Sequence, residues 1–160
     1  MSNPDQFEVF LRLLLALGLG ALIGAEREYR GHAAGLRTTA LVCAGAALFG
    51  EVSSIAGDSR IAAGVVQGVG FLGAGVIMQR GHSVVGATTA ATMWLVAGLG
   101  LLVANHLWLT ALLSTATALT LLELEPVSIW LFRKGKVPRG RGPSTRAADD
   151  GERGSTDDPG

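Results

Sequence analysis

Proline is absent from Asp5 through Glu125, so nothing in that stretch removes a backbone donor and breaks a helix. Charge is nearly as scarce. The 85 residues from 38 to 122 hold four charged side chains, Glu51, Asp58, Arg60 and Arg80. A water-soluble domain needs polar side chains along every element to coat its surface. This block has too few, which excludes an ordinary soluble globule and a soluble enzyme. Cysteine occurs once, as Cys43 in an apolar run, so an intrachain disulfide framework and a cysteine-based metal site are excluded. Aromatics are 6% of the chain and the formal net charge is +0. Neither a stacking platform nor a global pull toward nucleic acid exists, and no nucleic-acid partner is expected.

What is present is apolar bulk and glycine: 49% hydrophobic residues and 23 glycines. Five apolar stretches run over 9–25, 38–56, 61–79, 86–104 and 107–122. A stretch of about 19 residues covers roughly 28 Å as a helix, close to the hydrocarbon thickness of a bilayer. The first carries Arg12 and the fifth is short before Glu123, so both need snorkelling ends or tilt. Open strands leave backbone groups unsatisfied in lipid, and the alternation of a barrel is missing. The expected fold is all-α, a polytopic membrane helix bundle of about five transmembrane helices. Asp5 and Glu8 stand where a signal peptide carries Lys or Arg, so the first helix is expected to be retained. Arg27, Arg30, Arg37, Arg80 and the basic residues from Arg133 onward share one side of this topology. The excess of positive charge puts the N-terminus outside and the C-terminus inside.

The bundle and a flanking segment occupy 1–132. Within it, 126–132 places Trp130 and Phe132 beside Arg133 and Lys134, a composition suited to the membrane interface. Residues 133–160 carry 12 of the 26 charges and read as a disordered polar cytoplasmic tail.

Two polar clusters stand out. In the first, Glu26 and Glu28 meet Arg27, Arg30 and Arg37 across a short loop, with Thr38 following. Arg37 at one helix start and Glu26 at another helix end are positioned for a charge-assisted pair. An interfacial clamp and a ligand site are both open readings of this cluster. The second is a glycine-rich run holding Gly64, Gln67, Gly68, Gly70, Gly73 and Gly75. Gly68-Val69-Gly70-Phe71-Leu72-Gly73 matches a dinucleotide fingerprint formally, but it lies inside an apolar span and no acid follows at 85–92, so the required context fails. A close-packing face is the better reading, with Gly64 and Gly68 one turn apart, and Gly20 with Gly24 likewise. The alternative is a third helix unwound at 70–75 that exposes carbonyls to a solute.

Thr88, Thr89 and Thr92 open the fourth span; Thr88 and Thr92 share a face for capping or interhelical bonds. His32, His82 and His106 lie in three loops, the last on the opposite side. Glu26 and Glu28 are likewise separated from Glu51 and Asp58. No metal ligand set can be assigned, and no cofactor is expected. No paired carboxylate at bilayer depth and no Ser–His or Cys–His arrangement marks an enzyme.

Three motifs in order and spacing resemble the MgtC/SapB family of bacterial inner-membrane proteins. They are Gly24-Ala-Glu26-Arg27-Glu28-Tyr29-Arg30 with Ala34-Gly35-Leu36-Arg37-Thr38, then Arg60-Ile61-Ala62-Ala63 leading into 68–75, then Thr88-Thr89-Ala90-Ala91-Thr92-Met93-Trp94. The resemblance covers roughly 10–125, the membrane part without the soluble domain of longer members. Gly64 and Gln67 depart from the Gln and Ser common in the family. The resemblance implies a multi-pass protein of the bacterial inner membrane that serves magnesium adaptation. It leaves two roles open: regulation of another membrane complex, such as the ATP synthase, and transport of Mg²⁺ or another small solute. A homo-oligomer is compatible with both. The lipid bilayer is the one partner the composition itself demands.

Overall fold

The computed structural model describes residues 5–80 and 83–124. The segment 126–132 and the tail 133–160 lie outside the described residues. The chain runs through α1 (Gln6–Tyr29), α2 (Leu36–Ala56), α3 (Ser59–Val76), β1 (Met78–Arg80), β2 (Ser83–Val85), α4 (Ala87–Ala104) and α5 (Trp108–Glu123). The fold is an all-α membrane helix bundle. Four helices are long and apolar enough to cross a membrane, and α5 is apolar but shorter.

Helix starts are set by local chemistry. Asp5 accepts from the Phe7 N–H at 3.1 Å and Asp58 from the Arg60 N–H at 2.9 Å, satisfying amides that a helix start leaves without partners. Gly57 ends α2 in the left-handed conformation at φ 66, which glycine adopts without a Cβ penalty. Short connections make successive helices antiparallel. The end of α1, the start of α2, the end of α3, the start of α4 and the end of α5 therefore gather at one end of the bundle, called here the arginine-rich end.

α2 is the central helix, packed most extensively on α1 and α4. α1 buries Ala16, Leu19, Gly20, Ile23, Gly24 and Arg27, a stripe with the three- and four-residue spacing of one helix face. Small residues dominate the interior: Ala16, Cys43, Ala47 and Ala111 surround Ile23, Val96, Leu99 and Val103. Large ones face out, among them Leu41, Phe71, Leu113 and Leu121. Such a distribution is unfavourable in water but suits lipid, where small residues let helices approach closely.

Two features depart from expectation. The third span, placed at 61–79 from hydropathy, leaves helical geometry at Ile77 (φ −83, ψ 119). An antiparallel hairpin follows, pairing Met78 with Val85, Gln79 with Val84 and Arg80 with Ser83. Gly86 closes it at φ +92, where a Cβ would stand 2.1 Å from the Val76 carbonyl oxygen. Only glycine fits that turn. Second, α3 is continuous from Ser59 to Val76, so the chain does not adopt the helix unwound at 70–75.

Candidate functional site

At the arginine-rich end, Arg30 ties α1 to α5. Its Nε lies 2.7 Å from Glu26 Oε1, one turn back, and its Nη2 donates to Glu123 Oε2 at 2.7 Å. Glu28 does different work. Its Oε2 accepts from the Leu36 N–H at 2.9 Å, capping α2, whose own N-cap residue Gly35 has no side chain to offer. A carboxylate there is favoured by the partial positive charge of the helix start.

The expected pair between Glu26 and Arg37 does not form. Gly24 is pressed against α2, where a Cβ would meet Thr39 Oγ1 at 2.0 Å and Leu36 Cα at 2.6 Å. That contact turns Thr39 and Ala40 toward α1. Arg37 lies two residues before Thr39, about 200° around the helix, and both Arg37 and Thr38 are exposed.

Arg27 is the unexpected member. It is only 2% exposed, and its Nε and Nη2 have no hydrogen-bond partner. It ends the buried stripe of α1, one turn beyond Ile23 and so at the floor of the apolar core. Of the threonines, Thr88 is exposed, while Thr89 and Thr92 are buried. The Thr92 hydroxyl donates to the Thr88 carbonyl at 2.8 Å, within its own helix rather than across to another.

The glycines divide sharply. Gly20 and Gly24 on α1, and Gly50 and Gly100 at the α2–α4 seam, sit where a Cβ would collide with the neighbouring helix. Of the third-helix set only Gly73 packs, against Ala90 at 3.4 Å; Gly64, Gly68, Gly70 and Gly75 face open space. Gly64 and Gly68 line a groove of about 630 Å³ between α2 and α3, together with Leu41, Gly45, Phe49 and Leu72. Gln67 is exposed and does not line that groove.

The opposite end holds a network that the sequence reading does not anticipate. Arg12 Nη1 donates to Glu51 Oε1 at 2.7 Å, and Nη2 donates to Glu8 one turn back. The Arg12 and Glu51 side chains are 12% and 7% exposed. Arg12 and Glu8 line a cavity of about 200 Å³ with Val103, His106 and Trp108. One signal was available: opposite charges at the same end of two adjacent apolar spans are expensive alone and cheap together. His82 lies outside the described residues, and His32 and His106 stand at opposite ends. Among the described residues no three of His, Cys, Asp and Glu converge as metal ligands.

The MgtC family matches residues 13–128. Protein MgtC of Salmonella typhimurium (strain LT2) is 56% identical over 99 residues, covering 60% of this chain and 43% of the relative. Protein MgtC of Brucella abortus is 53% identical over 88 residues, covering 52% of this chain and 37% of the relative. An uncharacterized protein of Haemophilus influenzae is 34% identical over 154 residues, covering 87% and 65%. The chain thus spans less than half the length of the MgtC relatives it matches. No solved structure matches. By its matched motifs and its helix bundle, the chain belongs to the MgtC family.

Proposed function

We propose that this chain is a regulatory, non-enzymatic protein of the bacterial inner membrane, crossing it several times and binding another membrane protein in the service of magnesium adaptation. One observation carries the reading: charge is confined to the two ends of the bundle, and the interior between them is closed. Ile23, Cys43, Val96 and Leu99 fill that interior with exposures of 1% or less. Gln67, the one amide in the middle of α3, points away from it. A divalent cation asks for oxygen ligands along its route, and the interior of a single bundle offers from side chains no carboxylate, only hydroxyls such as Thr92 and Thr115 that bond within their own helices. The exposed Arg37 and Thr38, beside the Glu26–Arg30–Glu123 network, instead form a polar rim suited to docking. The ATP synthase is the partner suggested by family resemblance.

The second reading, a transporter or channel for Mg²⁺ or another small solute, draws on the open glycine face of α3. Copies joined along Gly64 and Gly68 would enclose surface that a monomer leaves outside.

Flux into proteoliposomes containing a trapped Mg²⁺-sensitive dye separates the two. The expected result is no flux above empty vesicles, together with a crosslinked membrane partner that Glu26→Gln or Arg37→Ala releases while insertion is unchanged. Flux that Gln67→Leu alters would overturn the regulatory reading.

A further inference from the structure

Arg27 is a buried cation in want of an anion. Arginine stays protonated at any physiological pH, so it cannot escape burial by losing its charge as a lysine can. Seven acids occur among the described residues, and none forms an ion pair with Arg27; six are engaged elsewhere, while Glu26, 2.7 Å from Arg30, keeps buried oxygens without a hydrogen bond. Asp5 and Asp58 cap α1 and α3. Glu8 and Glu51 hold Arg12. Glu26 and Glu123 flank Arg30, and Glu28 caps α2. None reaches Arg27, whose Nε and Nη2 are sealed from solvent without a partner.

Its place in the bundle narrows the chemistry. Gly20 closes on Thr39 and Cys43, and Gly100 on Cys43, Ala46 and Ala47, so Gly100 stands about one turn farther from the arginine-rich end. Seven residues from Gly20 toward that end is Arg27, about 10 Å along the axis. The matching distance back from Gly100, longer by that turn, reaches Thr89. The first turn of α4 therefore lies about level with Arg27. Its N-cap Gly86 has no side chain to offer the first amides of this 18-residue helix, which carry partial positive charge. A guanidinium fork and a helix start together match a tetrahedral oxyanion. With the half-thickness of the hydrocarbon about 15 Å, Arg27 also lies within side-chain reach of a headgroup layer.

We propose that a phosphate group docks on Arg27 at the arginine-rich end of the bundle, beside the first turn of α4. A phospholipid headgroup and free inorganic phosphate both supply that group. This goes beyond the regulatory reading and holds whether or not that reading does.

The test uses the full chain in maltoside micelles, which contain no phosphate. One arm titrates inorganic phosphate; the other adds phosphatidylglycerol in its place. The wild-type melting temperature is expected to rise in one arm, which identifies the source. Arg27→Met, of similar bulk, is expected to lose that rise and to melt above wild type in the phosphate-free micelles. Arg27→Lys keeps the charge but loses the fork, and is expected to need about tenfold more of the same anion. Arg60→Gln, at the opposite end, is expected to respond like wild type. No wild-type response in either arm overturns the proposal. So does a rise retained by Arg27→Met or lost in Arg60→Gln. Failure of Arg27→Met to fold overturns it too, since the charge would then be satisfied within the chain.

Discussion

Arg12 in α1 and Glu51 in α2 meet at 2.7 Å near the end opposite the arginine cluster, 39 residues apart in the chain. Glu8 holds the other side of the same guanidinium. The pair locks two helices whose apolar faces alone would tolerate sliding. Arg12→Met leaves Glu51 buried and unpaired and should cost about 3 kcal/mol; Glu51→Leu leaves Arg12 with Glu8 and should cost less. The double variant should recover most of that loss. Reversible unfolding in mixed micelles measures all three; an unrecovered double variant would show that the pair is not the source of the cost.

The glycine seam makes a contrasting prediction. Gly24→Ala puts a methyl group against the Leu36 backbone and Thr39, which cannot withdraw without moving α2, and overpacking of this kind costs about 1–3 kcal/mol. Gly68→Ala meets nothing within 4 Å and should stabilise α3 by up to about 1 kcal/mol through helix propensity. A destabilised Gly68→Ala in detergent, together with loss of a crosslinked dimer, would place a second copy on that face.

Glu28 acts at a distance on the start of α2. Glu28→Ala should cost about 1 kcal/mol, as the loss of a helix cap does. It should also speed amide exchange at Leu36 selectively among the residues of that loop. Unchanged exchange at Leu36 would mean that water caps the helix equally well.

Glu26→Gln is expected to cost little stability, under about 1 kcal/mol, because Arg30 keeps Glu123 and the isosteric amide still offers Arg30 an acceptor. Any loss of partner crosslinking in this variant is then a surface effect and not unfolding. A large drop in melting temperature would remove it as a functional probe.

The single thiol allows a topology assay. Cys43 is fully buried, so the unmodified chain should resist an impermeant maleimide from either side of the membrane. Arg37→Cys, at an exposed position, should label only in inverted vesicles. Labelling in intact spheroplasts would reverse the orientation inferred from the positive charges.

The positions of α1, α2, α4 and α5 were legible in the sequence, because an apolar run without proline has few alternatives to a helix in lipid. The end of α3 was not. Hydropathy carries the apolar run past Val76 without a break, and a hairpin of two three-residue strands gives no periodicity to read. The polar cluster at the arginine-rich end was legible as composition, since charges beside an apolar span are visible at once. Its pairing was not: Glu26 turned to Arg30 and Glu28 to a backbone amide, leaving Arg37 exposed and Arg27 enclosed.

The amino-acid sequence by itself therefore determined the solvent, the course of the helices apart from the end of α3, and the ends where charge collects. All three follow from local composition, read a helix length at a time. Only the tertiary structure decided which charges meet, because partner choice depends on the rotation of each helix about its axis. That rotation is set by a few close contacts, chiefly Gly20 and Gly24 against Thr39 and Cys43. A turn of about 100° per residue separates a buried, unpartnered Arg27 from an ordinary surface arginine, and no local pattern carries that angle.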